Sequence, residues 1–326
     1  MRNRALKIIF RFAIGVLALS CALLAGFMAL YWAPDRPVEE LQSRWATPPS
    51  QFIGVTGMTV HLRDEGPPDD PLPIVLLHGT SASLHTWDGW AAGLVSQRCV
   101  IRIDLPGFGL TGPFPDRANG SGDYTVAHYV TFIDALLTRL GVTRCILAGN
   151  SFGGQISIAM ALAHPERVGK LILIDSSGYP PAPASIPIGF RLARIPLLNK
   201  VMEVTLPRRV VEASVRNVYG DPGRVTAEIV DRYVDLTLRE GNRRALVERL
   251  KQVPAEAITD QIPMVRVPTL ILWGGRDRLI PPEAAERFHR EIAGSRLILF
   301  DDLGHVPQEE DPSRTLAAAK EFLAIP

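Results

Sequence analysis

Cysteine is scarce in this chain, with three residues in 326. Their spacing fits neither a disulfide framework nor a zinc site. Cys21 lies in an apolar N-terminal segment, while Cys99 and Cys145 open apolar, strand-like runs. There a thiol serves as a small core side chain. An excess of charge of one sign is also missing, since the net charge is +1. Arg2, Arg4, Lys7 and Arg11 precede the first acidic residue, leaving 31 basic against 34 acidic residues for the rest. No basic stripe remains to read nucleic acid, so that class of partner is excluded. No internal repeat is visible.

What the N-terminus does have is one long apolar run. Phe12 to Trp32 is a segment of 21 residues without a charge, enough to cross the apolar core of a bilayer. Four cations precede it, and Tyr31-Trp32 end it as an interfacial aromatic anchor would. The bias of positive charge predicts residues 1–11 in the cytoplasm, 12–32 as a transmembrane anchor, and the remainder on the extracytoplasmic side of the plasma (inner) membrane. The alternative is a signal peptide and a secreted product, but no small-x-small cleavage site follows the run. Prolines at 34, 37, 48 and 49 mark residues 33–50 as a Pro-rich linker that lifts the domain off the membrane.

Beyond the linker the chain alternates strand-like and helix-like stretches. Gln51–Val55 and Met58–Arg63 flank Thr56-Gly57 as a hairpin. Further strands are expected at Pro73–Leu77, Val100–Asp104, Cys145–Ala148, Lys170–Asp175, Thr269–Trp273 and Leu297–Phe300. Helical spacing marks Trp87–Val95, Tyr124–Leu140, Gln155–Ala163, Pro282–Ile292 and Pro312–Leu323. The pattern predicts an α/β fold: a mostly parallel sheet of eight strands with helices on both faces. Ligands of such sheets bind at the carboxyl ends of the strands. One interval breaks the rhythm. Residues 179–262 show helical patterns without a strand, and prolines 180, 181, 183 and 187 open the interval. It is expected to form a helical cap over the strand ends, inserted between core segments 51–178 and 263–326. Its apolar face, Phe190, Leu192, Ile195, Leu197, Leu198, Val201 and Met202, is expected to pack as ordinary core rather than line a substrate tunnel.

The chemistry centres on Gly149-Asn-Ser-Phe-Gly153, a G-x-S-x-G sequence between a strand and a helix. A serine on so sharp a turn projects its hydroxyl from the sheet, and the helix start behind it offers free N–H groups. The hydroxyl needs a base. Of seven histidines, His305 follows Asp301-Asp-Leu-Gly304 on a loop after a strand and can swing onto Ser151. His61, His128, His164 and His289 fall within regular elements, His85 borders the expected site, and His78 shapes its own loop. The histidine in turn needs a carboxylate. Asp277 follows the strand 269–273, with Asp175 in reserve; Asp301 and Asp302 read as solvated turn residues. Developing negative charge needs backbone donors, expected from the N–H of Phe152 and of Thr80, with Ser81 the second choice for the latter.

His78-Gly79, Asp104-Leu-Pro-Gly-Phe-Gly109, Gly149-Asn-Ser-Phe-Gly-Gly154, Trp273-Gly-Gly-Arg-Asp277 and Gly304-His305, in this order, resemble the α/β-hydrolase superfamily. Within it the elbow is similar both to bacterial serine esterases and lipases and to the carbon–carbon bond hydrolases of aromatic degradation. The latter usually carry a glycine-rich run after the first histidine, where this chain has Gly79-Thr-Ser-Ala82. A serine at the elbow also sets it apart from haloalkane dehalogenases and epoxide hydrolases, which use aspartate there. The resemblance implies a cofactor-free and metal-free hydrolase with Ser151, Asp277 and His305 as its triad. Its expected substrate is a small-molecule carboxylic ester, hydrophobic or lipid-like. The alternatives are a carbon–carbon bond hydrolase, an acyltransferase with the same triad, or a non-catalytic hydrolase-fold binding protein.

Overall fold

Four strands carry the centre of the sheet because nearly every residue in them is apolar and can be buried on both faces. In the computed structural model, which describes residues 2–116, 122–180, 195, 198–252 and 258–323, they are β3 (Ile74–Leu77), β5 (Cys145–Asn150), β6 (Val168–Ile174) and β7 (Thr269–Gly274). Side chains alternate across a strand, so each feeds two cores. Val75, Leu77, Cys145, Leu147, Leu171, Leu173, Ile271 and Trp273 point to one face. Ile74, Leu76, Ile146, Ala148, Ile172, Ile174, Leu270 and Leu272 point to the other. The remaining strands are β1 (Ser50–Val55), β2 (Met58–Glu65), β4 (Val100–Ile103) and β8 (Arg296–Phe300).

The eight strands run in the order β1-β2-β4-β3-β5-β6-β7-β8. β1 pairs antiparallel with β2 and β2 with β4, and every later pairing is parallel. The expected mostly parallel sheet of eight strands is what forms.

Helices cover both faces. On the first lie α4 (Val126–Arg139), α5 (Phe152–Ala163) and α10 (Glu283–Glu291). On the second lie α3 (Asp88–Leu94) and α12 (Pro312–Leu323), joined where Trp90 Nε1 donates to Thr315 Oγ1 at 3.0 Å. Thr125 caps α4, its hydroxyl accepting from the His128 N–H, which satisfies one of the helix's orphan donors.

Between β6 and β7 come α6 (Leu198–Val204), α7 (Arg208–Val218), α8 (Ala227–Thr237) and α9 (Asn242–Gln252). Their contacts fall on loops at the carboxyl ends of the strands: Asn242 Nδ2 donates to Gly109 O, and Arg278 Nη1 to Tyr219 O. Val215, Tyr219, Val225 and Val230 form a small core of their own, with Val306 from the main body. Of the apolar face read from the sequence, Leu198, Val201 and Met202 are half-buried and Ile195 is exposed. Phe190, Leu192 and Leu197 lie outside the described residues.

The N-terminal helix α1 spans Arg2–Tyr31, and its stretch Leu6–Tyr31, which holds an 18-residue window of mean hydropathy 2.4, has the length and composition of a membrane span and is nowhere buried. The segment beyond α1 departs from the expected free spacer. Helix α2 (Val38–Trp45) buries Leu41 and Trp45 against Leu110 and Leu236. The prolines that suggested an open linker act differently: Pro37 precedes the first turn as its N-cap, where a missing N–H costs nothing. Residues 32–45 run along the inserted helices as a strap. Trp32 bridges to Thr205, Arg36 Nη1 meets Asp235 at 2.9 Å, and Trp45 Nε1 donates to Asp235 Oδ2 at 3.0 Å.

Candidate active site

Ser151 stands between β5 and α5 with φ 53° and ψ −117°, a conformation L residues avoid unless surroundings enforce it. Here the close approach of β3 does so. A Cβ on Gly153 would lie 2.3 Å from Leu77 O, and one on Gly149 2.3 Å from the carbonyl carbon of Gly153. Only glycines let the chain turn that sharply beside β3. The serine is half-buried. Its own N–H donates to Ile174 O at 3.0 Å, and its carbonyl accepts from Ser177 N at 3.0 Å.

His305 and Asp277 are brought together: His305 Nδ1 lies 2.7 Å from Asp277 Oδ2, and both side chains are buried. Asp277 Oδ1 accepts from the backbone N–H groups of Leu279 and Ile280, at 2.7 and 3.0 Å. The carboxylate is therefore held by its own turn, and a ring N–H on Nδ1 completes its bonding. A separation of 2.7 Å is a direct hydrogen bond.

The link from this pair to Ser151 is Asn150, whose Nδ2 donates to Ile174 O at 3.1 Å and His305 O at 2.9 Å. His305 N also donates to Val218 O at 2.7 Å. Glu310, in the short helix α11 (Pro307–Glu310), accepts from Gly304 N, Gly220 N and Asp221 N. Sequence reasoning overlooked Asn150 and Glu310. Asn150 had a signal, its place inside the elbow motif; Glu310 had none, because its partners lie up to 90 residues away.

The turn after β3 lies against the elbow, since a Cβ on Gly79 would come 3.0 Å from Ser151 Cβ. Thr80 and Ser81 follow, and Ser81 has φ 62°. His78 shapes this turn: its Nε2 accepts from Leu105 N at 3.0 Å, so its Nδ1 carries the proton and donates to Gly79 O at 2.7 Å. Burial lowers its pKa and keeps the ring neutral, against the pull of Asp104. Phe152 is buried under the ring of Tyr129, centroids 5.0 Å apart. On its other side the guanidinium of Arg249, from α9, sits 3.9 Å from the ring centroid.

The other predicted residues fall elsewhere. Asp175 lies beside Asp277, within the same buried group as His305. Asp302 pairs with Arg314 at 2.7 Å, and Asp301 is exposed. His85 does not reach the serine: Nε2 donates to Trp45 O at 3.0 Å and Nδ1 accepts from Ser83 Oγ at 3.2 Å. His289 bonds Ser295 at 3.0 Å, and His164 lies near Glu166. His61 bonds Asp104 at 2.6 Å, a second buried pair that the sequence did not reveal. The thiols of Cys99 and Cys145 are pushed up to about 12, burial being the main cause, so both are inert core groups. A cleft of about 430 Å³ between the β1–β2 turn and α9, lined by Met58, Phe114, Arg239 and Glu248, includes none of the predicted site residues.

This architecture has known counterparts. A family described as alpha/beta hydrolase fold matches residues 73–312. The 2-hydroxy-6-oxo-2,4-heptadienoate hydrolase of Pseudomonas putida is 30% identical over 288 residues, covering 82% of this chain and 94% of that protein. A thermophilic esterase from Thermogutta terrifontis is similar in structure, with a TM-score of 0.69 and 26% identity over 84% of this chain and 98% of that one. A membrane phospholipase A described as a bacterial virulence factor matches 99% of this chain and 98% of its own, with a TM-score of 0.71. At 23% identity that likeness is one of fold.

Proposed function

The chain belongs to the alpha/beta hydrolase fold family, and from that premise we propose that it is a serine hydrolase of carboxylic esters, anchored in a membrane by α1. The observation that carries the reading is the buried 2.7 Å bond from His305 to Asp277, tied through Asn150 to the residue that follows it, Ser151.

In this reading Asp277 fixes the tautomer of His305, with the proton on Nδ1 and Nε2 left as the base. Nε2 takes the Ser151 proton as Oγ attacks the acyl carbon, and the proton passes to the leaving alcohol. The N–H groups of Phe152 and Thr80 hold the oxyanion. Water then attacks the acyl-enzyme by the same route, giving the acid and free Ser151. The helices α6–α9 act as the cap, and their apolar surface beside the anchor favours hydrophobic or lipid-like esters.

The test is a chain-length series of nitrophenyl esters on wild type and Ser151→Ala. The expected result is a loss of about 10⁶-fold in kcat, as for other Ser-His-Asp hydrolases, with longer acyl chains preferred by the wild type. Full activity in the variant overturns the mechanism. A fluorophosphonate probe should label the wild type alone; a folded protein that resists it is a binding protein. Mass spectrometry showing a mature N-terminus near residue 30 removes the anchor.

A second reading is carbon–carbon bond hydrolysis, favoured by the 30% identity to a protein named for that chemistry. Against it stands Gly79-Thr-Ser-Ala82, where such enzymes carry more glycine. Faster turnover of a vinylogous diketone than of any ester would establish it.

A further inference from the structure

The inserted helices carry a cation to the foot of the elbow. Arg249, in α9, is 3% exposed, and its Cζ lies 3.9 Å from the ring centroid of Phe152. Phe152 directly follows Ser151, opens α5 and is 2% exposed. A guanidinium over an aromatic face is attracted to it, and more strongly where water is excluded. The ring is held on its other side, because Tyr129 meets it edge-on and Tyr129 OH donates to Pro106 O at 2.6 Å. Helix α9 is likewise fixed to the core along its length. Asn242 Nδ2 donates to Gly109 O at 2.9 Å, Ala245 joins the main core beside Gly107, and Gln252 Oε1 accepts from Tyr124 N at 2.9 Å. Two anchored elements therefore press the cation and the ring together.

Taking a guanidinium out of water is costly, and a methionine would fill similar space without that cost. Packing alone does not call for a charge here. Its position does. The Phe152 N–H is the proposed oxyanion donor and stands at the positive end of the α5 dipole. A cation over the ring of the same residue adds a field of the same sign at the same place. Shielded from water, such a field acts over several ångströms and needs no reorganisation when negative charge develops.

We propose that Arg249 is a positioning residue of the oxyanion hole, acting through Phe152. Its guanidinium clamps the ring, which fixes the direction of the Phe152 N–H, and its charge favours the anionic tetrahedral intermediate over the neutral ester. Ser151, His305 and Asp277 move the proton, while α9 sets how much negative charge the site sustains. The inference rests on the serine hydrolase reading.

Steady-state rates of the full chain on a nitrophenyl ester test it, beside two inhibitors, an alkyl trifluoromethyl ketone and the alcohol of the same chain. Ser151 Oγ adds to the ketone carbonyl carbon, its proton passes to His305, and the carbonyl π pair becomes an oxyanion. The alcohol forms no such bond and carries no charge. Arg249→Met should lose about 10- to 50-fold in kcat, less than the roughly 10²- to 10³-fold cost of a direct donor. KM should change less than about threefold, as for an interaction made only in the transition state. Arg249→Lys keeps the charge and should recover most of the loss, though not the flat stack. The inhibition constant of the ketone should rise by about the factor lost in kcat, and that of the alcohol should stay put. Arg249→Gln replaces Arg249→Met if the methionine variant melts early. A kcat within about threefold of wild type in the uncharged variant overturns the inference. So does a lysine variant no better than the uncharged one, or an equal loss of affinity for ketone and alcohol. Ser151→Ala separates the two failures. If it is inactive while the Arg249 variants are unaffected, only the role of Arg249 falls; if it remains active, the site itself is misassigned.

Discussion

Two buried histidine–aspartate pairs stand out among the described residues, and the one outside the proposed site has the more complete set of hydrogen bonds, because a serine completes it. Ser50 Oγ lies 2.9 Å from His61 Nε2, and His61 Nδ1 lies 2.6 Å from Asp104 Oδ2. His305 and Asp277 repeat the second contact at 2.7 Å. Each carboxylate also accepts from two backbone N–H groups, Asp104 from Leu84 N on Oδ1 and Leu110 N on Oδ2, Asp277 from Leu279 N and Ile280 N on Oδ1. The difference lies in the serine and in the element that bears the ring. Ser50 opens an ordinary strand in the antiparallel part of the sheet, and its oxygen already accepts from Arg63 Nε at 3.0 Å. His61 is locked within β2, where its ring stacks on Phe52. Ser151 sits at a strained helix start with backbone donors behind it, and His305 rides on a loop. A hydrogen-bonded chain is therefore not a nucleophile; strain, a free lone pair and a helix N-terminus separate structure from chemistry.

The contrast can be broken experimentally, and the largest effect concerns the serines. Ser50→Ala should leave kcat within about twofold while Ser151→Ala abolishes it; comparable losses would mean the two pairs have been confused. Next come the histidines. His305→Gln should lose about 10⁴-fold or more in kcat. His61→Gln should retain its specific activity and lose about 3–5 kcal/mol of stability, because it strands the buried Asp104 charge. Chemical denaturation beside a rate assay checks both.

The pH dependence of stability is smaller and graded. Burial pushes the Asp104 carboxyl up, but His61, through charge and hydrogen bond, outweighs it and holds the group well below the usual carboxylate range. A depressed folded pKa gives stability that is full above the unfolded value of about 4 and lost as pH falls below it. His85 acts at milder acidity. Burial lowers its pKa from 6.5 to about 4, so the unfolded chain binds the proton first and stability declines as pH drops from about 6.5 towards 4. His85→Gln should make that part of the curve shallower, leaving the share of His78, whose pKa burial also lowers, and leaving the part below about pH 4 to Asp104. A variant as steep as wild type between pH 6.5 and 4 would rule His85 out.

The sheet was legible because buried parallel strands must be continuous apolar runs, as Ile74–Leu77 and Leu270–Trp273 show. The elbow was legible because Gly149 and Gly153 are demanded by backbone contacts local to the motif. What stayed hidden depends on partners distant in sequence. His61 and Asp104 are 43 residues apart in sequence and meet only because β2 pairs with β4. Asp235 collects Arg36, Arg44 and Trp45 from 199, 191 and 190 residues away, and no periodicity announces such a node. The spacing of Val38, Leu41 and Trp45 was helical, yet the flanking prolines drew attention to extended chain.

That node bears on how the molecule is held. The last turn of α1 passes straight into bonds with the inserted helices: Tyr31 O accepts from Leu206 N at 3.2 Å, and Ala33 N donates to Val204 O at 3.1 Å. No slack tether intervenes. In the proposed membrane-anchored reading, a pull or tilt on that rod would be delivered first to the junction of α6 and α7, so the grip on the lipid and the set of the inserted helices would share one mechanical coordinate.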